Sequence, residues 1–409
     1  MLNIYKITNL NKHTMKIFII SNGFTGATLP LANSFALAGN KVKCLYIVEG
    51  GTKCIESLDF DAPIPMHWGK MVELSKKNRL YDYLDLNVDV SFMPTWKHRR
   101  RLEKIGIGKI FPILNSFLMK AYIKQIISEK PDVVNLVVHT EKEAMIAKKL
   151  KEVGIPFTIT YHEVLHSLVG KESLRKHVLQ TLKLDTPIIC HSKKTAADLV
   201  NNVSGYDVKK HINLIHFGPF DSYKAYGKGF LPNGVPDKYL LYLGHIHPYK
   251  GLKYLFDAVE FLGEKIESVK IVVAGNGYDP ILDKMKKDSR FMLINRFIEN
   301  AELVGLIRNC SAIICPYISA SQSGLVQTGM VFNKPIVATR VGSFIEIIHD
   351  GVNGILCEAA DAKSLANAIN RVISNEVTFN SIDIPAYLKW DNIANKYMEL
   401  YRKMVQVPK

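Results

Sequence analysis

A polar loop before a short predicted helix is the part of this 409-residue sequence whose residue types first suggest chemistry. The loop reads YISASQSGLVQTG over residues 317–329, and the sequence contains no Asp or Glu from Leu303 to Ile345. Hydroxyl and amide side chains beside a glycine at a helix start are typical of a site that binds an anion through backbone N–H groups. The residues assigned to this site are Ser321, Gln322, Ser323, Gly324, Leu325 and Thr328. The alternative is a turn that only caps the helix.

Two segments in the first half place candidate residues where a predicted strand ends. In SNGFTGAT, Gly23 and Gly26 would allow the backbone to approach a ligand, but the full G-x-G-x-x-G spacing of a dinucleotide site is absent. His162 follows the apolar strand TITY, whereas the alternation of a strand would point Glu163 to the opposite face. We therefore expect His162 to face the ligand, and a hydrogen-bonded structural histidine is the alternative.

Alternating apolar strands and amphipathic helices must position these residues. The pattern runs over residues 15–217, stops in the Pro/Gly/Tyr-rich linker 218–238, and restarts over 239–385. Apolar strands that alternate with helices predict parallel sheets covered on both faces. The predicted fold class is therefore α/β, with two Rossmann-like doubly wound domains facing each other across a cleft. An amphipathic C-terminal helix, 386–405, is expected to cross back to the first domain.

Composition limits the partners that the chain can have. A formal net charge of +15 favours a negatively charged partner, and no nucleic-acid-binding motif accompanies the charge, so nucleic acid is not expected. Six cysteines without C-x-x-C or Cys/His spacing predict a reduced, cytoplasmic chain without disulfides, and no metal cofactor is expected. No apolar run reaches the ~18 residues needed to span a bilayer. Met15 is a second candidate start, so residues 1–14 are not assigned to the fold.

The second half resembles glycosyltransferase family 4, the retaining nucleotide-sugar transferases of the GT-B fold. The resemblance covers residues 239–375, and the matching segments are YLGHIHPYKGLKYLFDAV, KIVVAGNGYD, FIENAELVGLIRNCSAIICPY and SGLVQTGMVFNKPIVATRVGSFIEIIHDGVNGIL. The first half is similar more loosely, through SNGFTGAT, TYHEVLHS and IICHSKKTAADL. This resemblance implies transfer of a sugar from a nucleotide-diphosphate donor with retention at the anomeric carbon.

The resemblance also assigns roles to single residues. Lys250 matches the family's phosphate-binding lysine, His245 stands where the family usually has arginine, and His162 matches the position facing the reacting sugar. Ile298 lies where the family contacts the nucleotide base, and Gly26 lies in the glycine turn near the ligand. The catalytic candidates are therefore His162, Lys250 and His245, with donor binding by Gly26, Ile298 and the loop residues.

The loop departs from the family at its acidic positions. The family pattern E-G-F-G-L-x-x-x-E-A carries two glutamates, which contact the sugar and the ribose. Here Ser321 stands at the first position, and Gly329 or Thr328 stands at the second, according to the alignment. The absence of both carboxylates argues against a nucleophile from this loop and is compatible with a front-face mechanism, in which the departing phosphate accepts the acceptor's proton.

A basic and apolar segment over 96–124 is typical of an interfacial helix at an anionic membrane, and a buried helix with a charged approach is the alternative. The sequence thus predicts a hexosyltransferase-type enzyme of polysaccharide or glycoconjugate biosynthesis. It would use a UDP- or GDP-sugar and a glycan or lipid-linked acceptor, in the cytoplasm or on the cytoplasmic membrane face. Two alternatives stay open: a GT-B nucleotide-sugar epimerase, and a non-catalytic nucleotide-sugar-binding subunit.

Overall fold

Two parallel sheets form the centre of the protein. The computed structural model describes residues 14–60, 62–97, 110–137, 140–162, 172–203, 205–266, 269–320, 323–376 and 384–406. The first sheet has the order β10-β9-β8-β7-β1-β2-β6-β5 and the second β13-β12-β11-β14-β15-β16. The strands are β1 Lys16–Ser21, β2 Lys41–Glu49, β3 Cys54–Ile55, β4 Leu58–Asp59, β5 Val72–Glu73, β6 Val88–Thr95, β7 Val133–Val137, β8 Phe157–Tyr161, β9 Ile188–Cys190, β10 Ile212–Leu214, β11 Tyr239–Leu243, β12 Lys270–Ala274, β13 Phe291–Ile294, β14 Ala312–Cys315, β15 Ile336–Thr339 and β16 Ile355–Cys357.

Helices connect these strands within the described residues. They are α1 Thr25–Leu37, α2 Ile110–Ser128, α3 Glu141–Val153, α4 Glu172–Leu182, α5 Lys193–Asn202, α6 Leu252–Leu262, α7 Leu282–Met285, α8 Asn300–Asn309, α9 Gly324–Val331, α10 Phe344–Ile347, α11 Ala362–Ile373 and α12 Trp390–Gln406. The crossovers join parallel strands, whereas the short strand β5 pairs antiparallel with β6, and β3 and β4 pair antiparallel in a separate two-stranded sheet. The predicted α/β class with two parallel sheets is confirmed.

Each sheet has a topological switch point, where the chain leaves one side of the sheet and continues on the other. In the first sheet the switch lies between β1 and β7, and in the second between β11 and β14. Ligands of open α/β sheets bind at the carboxyl ends of the strands beside such a switch. The loops that follow β1, β11 and β14 lie beside these switch points, and β8, which ends just before His162, is separated from β1 by β7.

The C-terminal helix α12 packs on the first domain rather than on the second. Its residues Trp390, Tyr397 and Tyr401 belong to the core that surrounds α1, and the Phe35 and Tyr397 ring centres lie 6.0 Å apart. The Trp390 indole N–H also donates to the carbonyl of Pro219 in the linker, at 2.7 Å. Helix α12 therefore ties the linker and the first domain together.

The described parts of the chain contain no disulfide, no group of residues suited to a metal ion and no helix that could span a membrane. All six cysteines have free thiols, and burial raises the pKa of Cys190 and Cys315 to about 12. No group of three or more His, Cys, Asp or Glu residues suited to a metal ion occurs among the described residues. Within the same residues, every helix is too short or too polar to cross a membrane.

Candidate donor and acceptor site

Lys250 lies at the switch point of the second sheet. It ends the 3-10 turn Pro248–Lys250 that follows β11, and β14 is the neighbouring strand. Gly251 comes next with φ 74°, and a Cβ atom there would lie 1.9 Å from the carbonyl oxygen of Pro316. Only glycine allows the turn to approach the end of β14 so closely. The Lys250 ammonium consequently lies 3.8 Å from the centre of the Tyr317 ring, within the range of a cation–π contact.

Tyr317 also contacts the start of α9. The Ser323 hydroxyl is hydrogen-bonded with the buried Tyr317 phenol, so Ser323 and Lys250 contact the same side chain. Ser323 is the N-cap residue of α9, yet its side chain makes no capping hydrogen bond. The alternative interpretation, a serine that only caps the helix, is therefore not supported. The tertiary structure brings an ammonium group and a helix N-terminus to one edge of the second sheet.

Thr328 uses its hydroxyl within α9. Its side chain is buried, and its hydroxyl donates to the Gly324 carbonyl at 2.8 Å, one turn earlier in the helix. Contact of Thr328 with the donor stays a prediction. Leu325 is half-buried and packs against the second core. Ser321 and Gln322 lie outside the described residues.

Two other predicted residues differ in how they reach the site. His245 follows β11 and is exposed to solvent, and its carbonyl accepts a hydrogen bond from the Tyr242 phenol at 3.0 Å. Ile298 follows β13, but its side chain is part of the second core. The buried side chain leaves the backbone of Ile298 for the predicted base contact, which stays a prediction. Phe297, its neighbour, is exposed.

His162 lies in an aromatic cluster at the carboxyl end of the first sheet. Its ring centre is 4.1 Å from that of Phe24, which follows β1, and 5.2 Å from that of Phe217, which follows β10. His191 lies 5.7 Å away, is buried, and its Nδ1 is 2.7 Å from the Ile215 carbonyl oxygen. Burial lowers the pKa of His191 to about 4, so it is neutral at pH 7 and its Nδ1–H donates to that carbonyl.

Phe220 of the linker connects the two switch points. Its ring lies 5.7 Å from that of Phe217, and it also packs on the first residues of α1 and α9. A Cβ atom at Gly26 or at Gly324 would lie 2.4 Å from this ring in either case. The missing side chains of both glycines therefore make room for Phe220, which gives these glycines a packing role between the domains.

A carboxylate that the sequence did not single out occupies the N-terminus of α1. The Gly26 N–H donates to Glu56 Oε2 at 3.4 Å, and the N–H groups of Phe24 and Thr25 also bond to this carboxylate. The Gly26 N–H is thus used by Glu56 and its open face by Phe220, and donor binding by Gly26 stays a prediction. The sequence pattern does not mark Glu56 as a site residue, because it lies in an ordinary polar turn, IESL, with no motif around it.

A cleft of about 730 Å³ opens between the domains on the side of β9 and β15. Glu346, after β15, accepts a hydrogen bond from the N–H of Lys193 at the start of α5, at 3.3 Å, and lies 3.4 Å from His216 Nε2. Burial lowers the pKa of His216, and the nearby Glu346 carboxylate opposes this shift. Lys193 and Lys194 line the same cleft, so an anionic group would be attracted to it.

Comparison with known proteins agrees with this arrangement. Residues 237–375 match the family model described as Glycosyl transferases group 1. An uncharacterized glycosyltransferase of Methanocaldococcus jannaschii is 29% identical over 238 residues, which is 57% of this chain and 62% of that protein. The matching stretch thus spans less than two thirds of that relative's length.

Solved structures extend the likeness to the whole fold. Sucrose-phosphate synthase from Thermosynechococcus elongatus has a TM-score of 0.63 at 16% identity, covering 95% of this chain and 99% of that one. HepE from Anabaena, in complex with UDP and glucose, has a TM-score of 0.57 at 16% identity, covering 96% and 98%. At these identities the likeness shows the fold. The chain thus has the GT-B fold, and its residues 237–375 are similar to the Glycosyl transferases group 1 family.

Proposed function

We propose that this protein transfers a sugar from a nucleotide-diphosphate sugar to a glycan or lipid-linked acceptor, with retention at the anomeric carbon. The observation that carries the proposal is the meeting of Lys250, Tyr317 and Ser323 at the switch point of the domain that matches the group 1 family. HepE, of the same fold, is bound to UDP and glucose in its solved structure, which supports a nucleoside diphosphate as the ligand.

The chemistry requires positive charge where the diphosphate departs. As the glycosidic bond breaks, the leaving oxygen gains negative charge, and fixed cations and N–H groups aimed at that charge lower the barrier. Lys250 would supply the cation, and the first turn of α9 would supply N–H groups and its helix dipole. We infer that no bound metal is needed, because these groups offer the charge that a metal would otherwise provide.

The absence of acidic residues from Leu303 to Ile345 supports a front-face reaction. With no carboxylate in this loop to form a glycosyl-enzyme intermediate, the acceptor hydroxyl would attack from the side on which the diphosphate leaves. The departing phosphate oxygen would accept the hydroxyl proton, and the anomeric configuration would be retained.

An exposed apolar face on α2 supports an acceptor carried by lipid. Ile110, Ile113 and Phe117 lie on successive turns of this helix with exposed fractions of 49%, 58% and 63%. Lys120 and Lys124 follow on the same helix and line a groove of about 510 Å³ against α3. An apolar stripe beside lysines is suited to an anionic membrane surface, so we place the protein on the cytoplasmic membrane face. Residues 98–109 of the predicted basic segment lie outside the described residues.

Thermal shift measurements test the donor site. The melting temperature is measured with UDP, GDP, ADP and CMP and with the corresponding nucleotide sugars. A ligand at a hundred times its dissociation constant stabilises the folded state by about 2.7 kcal/mol, which is enough to identify the base. Lys250→Ala should remove most of the shift, whereas Lys253→Ala, an exposed lysine paired with Asp257, should keep it. Equal shifts in both variants would refute the donor site.

The same nucleotide sugars separate the alternatives. Transfer or hydrolysis of the bound donor supports the transferase, and conversion of the sugar into an epimer with no acceptor present would support the epimerase. Donor binding without any turnover would instead support a non-catalytic binding subunit.

Flotation with liposomes tests the membrane face. We expect more protein to float with anionic than with neutral liposomes, and Phe117→Ser should reduce the bound fraction several-fold. Phe261→Ser is the matched control, because Phe261 lies on α6 of the other domain and is 60% exposed, compared with 63% for Phe117. Equal partitioning of the wild type into both kinds of liposome would contradict electrostatic docking.

A further inference from the structure

Glu56 is held at the N-terminus of α1 by a polar network. It forms the turn between β3 and β4 with Ser57, and its backbone has φ 45°, a left-handed conformation that residues other than glycine seldom adopt. The Ser57 hydroxyl lies 3.0 Å from that of Thr25 in α1 and accepts from that of Ser222 in the linker at 2.8 Å. The Tyr226 phenol donates to the Ser57 carbonyl at 3.0 Å. The turn is thus fixed to α1 and to the linker, and the position of Glu56 is set by both.

The environment of Glu56 combines desolvation with stabilisation of its negative charge. Surrounding protein raises the pKa of Glu56, while the N–H groups of Phe24, Thr25 and Gly26 oppose that shift. Burial raises the pKa of the phenols of Tyr46 and Tyr223, and the charge of Glu56 adds to this, so both phenols stay neutral at pH 7. The Glu56 carboxylate is therefore anchored by backbone N–H groups and lies within electrostatic reach of two neutral phenols.

Support of α1 alone does not account for this side chain. A residue that serves only as a helix cap normally lies at the N-cap position itself, but here the N-cap residue Phe24 makes no capping bond and Glu56 comes from a separate hairpin. Part of the Glu56 residue remains exposed although its carboxylate is desolvated, whereas Glu143, in the capping box of α3, is fully buried. The Glu56 carboxylate lies at the N-terminus of α1, directly after Phe24, the residue whose ring contacts His162.

We propose that Glu56 is an acceptor-binding residue, whose carboxylate accepts a hydrogen bond from a hydroxyl of the sugar acceptor next to the attacking hydroxyl and so orients the attacking oxygen toward the donor. This inference rests on the proposed transferase function. The acceptor oxygen forms a bond to the anomeric carbon while the bond from that carbon to the diphosphate oxygen breaks. The bonding pair leaves with the diphosphate, which also accepts the hydroxyl proton, so Glu56 is unchanged at the end of the reaction.

The test compares transfer with hydrolysis in Glu56→Gln. Glutamine keeps the size of the side chain and an oxygen that can accept from the α1 N–H groups, so the fold should be retained. The donor is the nucleotide sugar that gives the largest thermal shift, and the acceptor probes are water, free hexoses and octyl glycosides. We expect kcat/KM for the glycoside acceptor to fall about 10- to 100-fold, as for loss of a hydrogen bond to a charged group. The KM for the donor, hydrolysis by water and the melting temperature should stay unchanged.

Glu73→Gln is the matched control, because Glu73 is exposed on β5 of the same domain and should transfer at the wild-type rate. Transfer by Glu56→Gln within about threefold of wild type would overturn the acceptor role. Equal losses of transfer, hydrolysis and melting temperature would also overturn it, in favour of support for α1. A wild type that hydrolyses the donor but uses no sugar probe would contradict a sugar hydroxyl as the acceptor. A wild type that binds donor without any turnover would refute the proposed function itself.

Discussion

The two switch points of this molecule are built alike but carry opposite charges. In the first domain, α1 begins after β1, and its N-terminus is occupied by the carboxylate of Glu56. In the second domain, the turn after β11 carries the ammonium of Lys250 beside the start of α9, where the sequence offers no acid from Leu303 to Ile345. In the first domain, the protein's own Glu56 places a negative charge at the helix N-terminus. In the second domain, the positive charge of Lys250 and α9 lies where the anion of a ligand would bind.

The difference indicates how the two halves divide the chemistry. A nucleoside diphosphate carries negative charge and is favoured by a cation and a helix N-terminus, which the second domain offers. A sugar acceptor is neutral and rich in hydroxyl donors, which suits a carboxylate that only accepts hydrogen bonds. The second domain lacks the two glutamates of the family pattern in its loop, whereas the first domain has the carboxylate of Glu56 at its switch point.

Removal of the Lys250 ammonium group should have the largest effect. We expect Lys250→Ala to lower kcat about 100- to 1,000-fold, the range observed when one group that stabilises developing negative charge is lost. Steady-state release of nucleoside diphosphate measures this effect, and Lys253→Ala serves as the control. A Lys250→Ala variant with wild-type kcat would mean that the charge asymmetry has no part in catalysis.

Acid should destabilise the first domain through His191. The pKa of His191 is about 4 in the folded state, against an ordinary value of 6.5, so the unfolded chain binds the proton first as pH falls. The stability is present above pH 6.5 and should fall by about 3 kcal/mol between pH 6.5 and about 4. In His191→Asn, which keeps an N–H donor for the Ile215 carbonyl, this part of the decrease should disappear.

Urea unfolding monitored by tryptophan fluorescence measures that decrease. The three tryptophans suit this purpose because Trp390 lies in the core of the first domain, and Trp68 and Trp96 contact each other there. His349→Asn, at an exposed histidine of the second domain, should leave the pH dependence as in wild type. Identical pH profiles for His191→Asn and wild type would contradict the assignment.

Phe220 should couple the two switch points. Gly26→Ala and Gly324→Ala each place a methyl group 2.4 Å from this ring, and we expect each to destabilise the protein by about 1–3 kcal/mol through overpacking. In a Phe220→Ala background both penalties should largely disappear, because the ring that causes the overlap is gone. Additive losses of unfolding free energy in the double variants would show that Phe220 is not the shared contact.

A chelator should have the smallest effect. With Lys250 and the α9 N-terminus supplying the positive charge, transfer in excess EDTA should stay within about twofold of the untreated rate. The assay is repeated with added Mg²⁺ or Mn²⁺ as the control. Loss of activity in EDTA that either metal restores would contradict the metal-free donor site.

Sequence patterns identified most of the scaffold but only part of the site. The apolar runs that become β11 and β14, and the glycine after Lys250, are local features that are visible in the sequence. A position in an aligned motif does not say which way a side chain points, so the sequence did not show that the Thr328 hydroxyl bonds within α9 or that the Ile298 side chain packs in the core. Gly26 was assigned to the donor because a glycine turn predicts close approach of some group, but it cannot tell a ligand from Phe220.

The sequence by itself determined the alternation of strands and helices, the restart of that pattern after the linker, and the acid-free loop, because each depends on residues close together in the chain. Only the tertiary structure decided that Glu56 meets the N-terminus of α1, 30 residues away, and that Phe220 packs on Gly26 and Gly324. These contacts depend on how a hairpin, a linker and two helix starts fold together. No local pattern records that geometry, since the free energy of each contact depends on groups far apart in the chain.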